Sequence, residues 1–303
     1  MSTDPTKLRT PSFRLLLDEG MRLTRRNFTR IYPAVAIPLA AVAGVQSTVQ
    51  IFYMTRMMQA PESGEEVFGS FITMWLAMMG LMLVLSVVYA AAASALVAAA
   101  CDAATGETID MARRWRWGWR PRVLGTVVLL GLVTGLGMMC CVVPGVLLGI
   151  AFGFTLPAMV LEGRFGTDAF SRSYQLVRHN PGNRLMTHPG LRVFVIGLVA
   201  ALLSYAVTLV VQLPFVIVQQ VGIVRSTMAQ AQEQGDVVSF ASGWMWLQVP
   251  QTILGQLANT AVWLYAAFVL VLLFDQLRRR MEGGDLEAVL DGLGAPPATG
   301  EEL

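Results

Sequence analysis

Residues 123–161 read VLGTVVLLGLVTGLGMMCCVVPGVLLGIAFGFTLPAMVL. Two apolar runs, about 123–139 and 146–161, meet at Val142-Val143-Pro144-Gly145 with no polar loop between them. Helices joined this tightly must be antiparallel neighbours. The reading is a transmembrane hairpin, because the turn offers nothing for water to hold. Gly131, Gly135, Gly149 and Gly153 fall at four-residue spacing, the small-xxx-small pattern that lets membrane helices approach closely.

The composition agrees. Of 303 residues, 55% are hydrophobic and 14% charged, with mean hydropathy +0.58. A soluble domain carries about 25% charged residues. Four further runs, about 32–55, 70–100, 191–224 and 244–274, suit an apolar layer of about 30 Å. Pro33 and Pro38 fall in the first turns of one span, and Pro214 interrupts another. The fold class is therefore all-α: a polytopic bundle of six transmembrane helices with amphipathic helices on the cytoplasmic side. It occupies about residues 12–290, between a disordered segment at 1–11 and a flexible tail at 291–303. Gly283-Gly284 should stop the last helix. No cleavable signal peptide is read, because the first apolar run starts only after Tyr32.

Charge gives the orientation. Lys7, Arg9, Arg14, Arg22, Arg25, Arg26 and Arg30 precede the first span, and residues 113, 114, 116, 120 and 122 follow the second. Residues 164, 172, 178, 184 and 192 follow the fourth, and 278–280 follow the sixth. Only Arg56 and Arg225 lie elsewhere. The positive-inside rule then places both termini in the cytoplasm, with six spans between them. Net charge is only +2, which implies no polyanionic partner.

Two amphipathic helices carry many of these arginines. One runs from an N-cap at Ser12 to about Phe28, with Phe13, Leu16, Leu17, Gly20 and Leu23 on its apolar stripe and Arg14, Asp18, Arg22 and Arg26 opposite. The other runs over about 168–178. There Ala169, Phe170, Ser173, Tyr174 and Val177 share a stripe, while Asp168, Ser171, Arg172, Gln175 and Arg178 face away. Arg22, Arg25, Arg26, Arg114, Arg116 and Arg178 are the expected headgroup contacts, since guanidinium binds phosphate bidentately. A GC-rich genome would also give arginine in place of lysine. In residues 101–122 tryptophan alternates with arginine, a pattern open to nucleic-acid stacking. The spans on both sides favour an interfacial belt, with no nucleic acid as partner.

Site chemistry is sparse. Glu162 and Asp275 sit at cytoplasmic span ends, where Arg172 can pair with the first and Arg278 or Arg279 with the second. That structural ion-pair reading outweighs a proton path. Met74, Met78 and Met82 share a face, with Cys140 and Cys141 toward the same side. Thioethers and thiolates select Cu(I), but methionine is also ordinary packing material, so no metal or other cofactor is assigned. Gln46, Gln50, Gln212, Gln219, Gln248, Gln251, Gln256 and Asn259 cluster toward the outer half of the spans. They fit interhelical hydrogen bonding, or a polar vestibule for a lipid headgroup or small solute. With two histidines, His179 and His188, no general acid–base or metal set assembles, so no catalytic residue is named.

VLEGRFGTDAFSRSYQLVR at 160–178 and LLFDQLRRRMEGGDL at 272–286, with the Pro144-Gly145 turn, resemble a bacterial six-helix family. It is similar to the membrane domain attached to some glycerophosphoryl diester phosphodiesterases. The resemblance covers about residues 12–290 and implies an all-helical inner-membrane fold. The phosphodiesterase activity belongs to a separate soluble barrel that these residues do not contain, so no enzymatic role carries over. An echo of Leu23-x-Arg25-x-Asn27 in Leu176-x-Arg178-x-Asn180 is consistent with a duplicated unit.

The expected function is a non-enzymatic inner-membrane protein. It would organise or assist other membrane components through its arginine-bearing helices. Membrane lipids are its partners, with another membrane protein or a second copy also open. The alternative is a transporter or channel using the glutamine-lined vestibule.

Overall fold

The computed structural model describes residues 13–58, 64–178, 188–231 and 245–282. The expected N-cap at Ser12, the 1–11 and 291–303 tails, His179, Asn180, the Gly283-Gly284 stop and most of the 225–243 loop lie outside these residues.

Every regular element among the described residues is helical. The order is α1 Phe13–Met58, α2 Gly64–Thr105, α3 Met111–Gly118, α4 Pro121–Cys140, α5 Val142–Ala151, α6 Thr155–Leu161, α7 Thr167–Arg178, α8 Pro189–Ala231 and α9 Gln248–Met281. Six stretches are long and apolar enough to cross a membrane: Phe13–Arg56, Phe71–Thr105, Pro121–Cys140, Val142–Leu161, Pro189–Gly222 and Gln248–Met281.

The centre is α1, α2 and α9. Ile31, Val35 and Leu39 of α1 meet Leu264, Phe268 and Val271 of α9 and the alanine-rich end of α2. Ala91, Ala92, Ala95, Ala98, Ala99 and Ala100 are wholly shielded. Lipid tails are as apolar as leucine, so burial alone drives little association here, and close backbone approach supplies the packing energy. Small side chains along α2 permit that approach. In contrast, α4 and α8 are peripheral, with only 11% of each span window buried. Their leucines and valines form the lipid-facing surface.

Several sequence expectations change. The N-terminal amphipathic helix is not a separate surface element, because α1 is continuous from Phe13 through both prolines. Its apolar stripe packs on α9, where a Cβ at Gly20 would lie 2.6 Å from Val269 Cγ2. α8 likewise runs through Pro214 without a break.

The hairpin turn is Cys141 rather than 142–145. Cys141 alone is extended (φ −165°, ψ 146°), and Pro144 sits in the first turn of α5, where a missing N–H costs nothing. The close approach also moves. A Cβ at Gly131, Gly135 or Gly149 would meet nothing within 4 Å, whereas one at Gly145 would lie 2.7 Å from Met138 N.

The fourth span is broken at Phe152–Phe154. In an apolar medium the freed backbone groups must find partners, and Ser173 of α7 supplies them. Its Oγ accepts from Phe154 N at 3.1 Å and donates to Ala151 O at 2.8 Å. α7 is thereby stitched into the bundle, and its buried face is Ala169, Arg172, Ser173 and Leu176. This corrects the expected stripe: Arg172 points inward and Tyr174 is 48% exposed.

Gly145→Ala should splay the α4–α5 hairpin and cost about 1–3 kcal/mol by overpacking against a backbone nitrogen. Gly131→Ala should be close to neutral. Thermal unfolding of the two variants in detergent checks the difference.

Candidate functional site

Two kinds of polar structure interrupt the bundle. The first lies at the arginine-bearing end and is built twice. Span α2 ends in Asp102, which is 3% exposed. The chain turns through Gly106 at φ +79°. Asp110 then caps α3, accepting from Arg113 N at 3.1 Å. Arg114, four residues after that cap, turns back on Asp102 with a fork of two hydrogen bonds, one of them Nε to Oδ2 at 2.6 Å. The next residue, Trp115, donates its Nε1–H to Ala34 O of α1 at 3.1 Å.

Span α6 ends in Glu162, and the chain turns through Gly163 and Gly166, both at positive φ. Asp168 stands in the first turn of α7. Four residues later Arg172, only 9% exposed, reaches Glu162 at 2.9 Å and Glu282 beyond the end of α9 at 2.7 Å. Arg164 adds to Glu162 at 3.0 Å, and Arg278 bonds Glu282 at 3.1 Å. The next residue, Ser173, stitches the helix break described above.

Each unit is thus a span-end carboxylate, a glycine turn, an Asp-x-x-x-Arg helix and a docking residue. The arginine neutralises the carboxylate where desolvation would otherwise make it costly. The second copy of the Leu-x-Arg-x-Asn echo falls partly outside the described residues.

The expected pairs therefore resolve in detail. Arg172 joins Glu162. Asp275 joins Arg279 at 3.0 Å on an exposed face, and Arg278 turns to Glu282 instead. Arg114 is withdrawn from the headgroup set, because its side chain is 16% exposed and Asp102 holds it. Arg22, Arg25, Arg26, Arg116 and Arg178 remain exposed. Arg22 bonds Glu19 at 2.6 Å rather than Asp18.

The second polar structure lies in the other half of the bundle. Gln46 and Gln50 of α1, Gln212 and Gln219 of α8, and Gln248, Gln251 and Gln256 of α9 line one cavity of about 280 Å³. Ala43, Ser47, Tyr89 and Thr252 complete the wall, and no charged side chain faces it. Gln219 Nε2 donates to Gln251 Oε1 at 3.3 Å, linking α8 to α9. Gln46 Nε2 lies 3.3 Å from Met82 Sδ, a weak acceptor. Gln256 Nε2, in the cavity's lining, is buried without a protein partner, and so is Asn259 Oδ1, one turn on and outside that lining. Gln276 and Thr155 also carry such atoms, away from this cavity. Below the glutamines lies the core of Ile31, Val35, Leu39, Ala92 and Leu96.

Among the described residues no group of three or more His, Cys, Asp or Glu could hold a metal ion. Cys140 and Cys141 are exposed free thiols. Searches of family models, curated proteins and solved structures find no match to this chain.

Sequence reading brought the glutamines together because each lies in the same half of its span. It missed Asp102, which the apolar run of α2 disguised as a loop residue. The signal that could have found it is the shared Asp-x-x-x-Arg spacing of Asp110–Arg114 and Asp168–Arg172.

Removing one member of the buried pair should be severe. Arg172→Met leaves Glu162 without its main cation and should cost about 3–5 kcal/mol. Arg279→Met, on an exposed pair, should cost less than about 1 kcal/mol. Denaturation midpoints in the same detergent compare them.

Proposed function

We propose that this chain is a non-enzymatic multi-pass protein of a bacterial inner membrane. In this reading the glutamine vestibule binds the uncharged, hydrogen-bonding part of a lipid or small solute. The observation that carries the reading is the vestibule's composition: seven glutamines from three helices around one cavity, with no charge among its lining residues. An amide needs partners on both its oxygen and its nitrogen, and unpaired amides in an apolar layer are costly. Gln256 Nε2, in that lining, has no protein partner. Its volume lies near the low end of the roughly 300–1,000 Å³ typical of small-molecule sites. Binding rather than catalysis is the fitting verb, since no His, Asp, Glu or Lys stands among the lining residues to activate the hydroxyls of Ser47, Tyr89 or Thr252.

Arginine asymmetry supports both termini being cytoplasmic, which opens the vestibule toward the outer leaflet. The exposed Arg22, Arg25, Arg26, Arg116 and Arg178 favour a second, compatible role. They would hold the protein to anionic headgroups or to a neighbouring membrane protein, and so organise it beside other components. The motifs at 160–178 and 272–286 are the ground for proposing kinship with the membrane domain found on some glycerophosphoryl diester phosphodiesterases.

Gln212→Leu/Gln251→Leu should lose at least about tenfold in retention of whatever copurifies from native membranes, equivalent to about 1.4 kcal/mol. Native mass spectrometry reads this. Identical retention by the parent and the variant overturns the reading. A reporter enzyme fused after Leu303 should be active only in the cytoplasm.

A further inference from the structure

The cavity's walls are unevenly joined. Among the described residues α1 packs along α9 and α2, and α8 packs along α9 and more lightly on α5 and α7. No packed seam joins α8 to α1 or α2. Yet Gln46 and Gln50 stand on one side of the cavity, and Gln212 and Gln219 on the other. The glutamines thus face each other across a cleft backed by α9 and unsealed between α1 and α8. On α8, the exposed apolar Leu209 and Leu213 lie beside Gln212. They suit acyl chains, not water. A cavity with a polar interior and an apolar, laterally open rim matches an amphiphile whose head lies inside and whose tails stay in the bilayer.

We propose that the vestibule takes its ligand sideways from the bilayer through the α1–α8 cleft, and that this ligand is a lipid with an uncharged, hydroxyl-rich headgroup. The inference rests on the vestibule being a binding site. It adds the source and the headgroup class. A hydroxyl both donates and accepts, as an amide does, so a sugar or glycerol head can satisfy several glutamines at once. A phosphate seated in the cavity would need a cation, and none lines it.

The test uses the full chain in phosphatidylcholine nanodiscs doped with monoglucosyl diacylglycerol, with plain diacylglycerol in a parallel sample and free methyl glucoside as the soluble competitor. After extraction, native mass spectrometry should show the glucolipid on the protein and little diacylglycerol. Millimolar methyl glucoside should not displace it. Gln212→Leu/Gln251→Leu should reduce retention at least about tenfold. Gln212→Glu, which keeps the shape and adds a charge, serves if the double variant fails to fold, and should also weaken retention. Methyl glucoside binding without glucolipid retention would overturn lateral access while leaving the vestibule as a binding site. Equal retention of diacylglycerol would overturn headgroup recognition. Glutamine-independent behaviour in every sample would overturn the vestibule reading as well.

Discussion

Inside an apolar layer every backbone N–H and C=O must be satisfied by the protein itself, and this constraint shapes the whole chain. Helix supplies most of the partners. Several hydroxyls within the spans bond back to their own helix, as Thr24 does to Gly20 O and Ser94 to Ala90 O, each at 2.7 Å. Where the fourth span breaks at Phe152–Phe154, Ser173 arrives from a different helix to meet the freed groups. The amphipathic helix α7 is therefore a structural repair to the bundle. Its inward face had to be polar, which is why Arg172 and Ser173 are buried side by side.

The same constraint explains the two span-end carboxylates. Asp102 and Glu162 end their helices just where the chain leaves the apolar layer. Each is held by an arginine carried on the next short helix, after a glycine turn that only a residue tolerant of positive φ makes cheaply. Glu282 extends the second cluster to the end of α9, tying three chain segments at one point. Nothing comparable covers the glutamines. The lining of their cavity carries amides and hydroxyls and no charged side chain.

Much of this was legible in the residues. Uninterrupted apolar length gave the spans, since few other structures tolerate such runs. The placement of glutamines within each span followed from counting along helices of known rise. What counting could not supply was rotation. The stripe assigned to α7 was rotated by about one residue, because Arg172 looks solvent-bound until Glu162 and Glu282 are seen around it. Close packing was similarly misplaced. Gly131, Gly135 and Gly149 have the right spacing for it, yet the approach falls at Gly145, where the extended Cys141 sends α5 back against α4.

The amino-acid order alone determined an all-helical chain with six membrane-length helices, because apolar runs and the period of a helix are local properties. Tertiary structure decided which arginines turn inward, which helix mends the broken span, and that seven glutamines distant in sequence share one cavity. Those depend on how helices rotate and pack against one another, and that information is spread over contacts no single stretch contains.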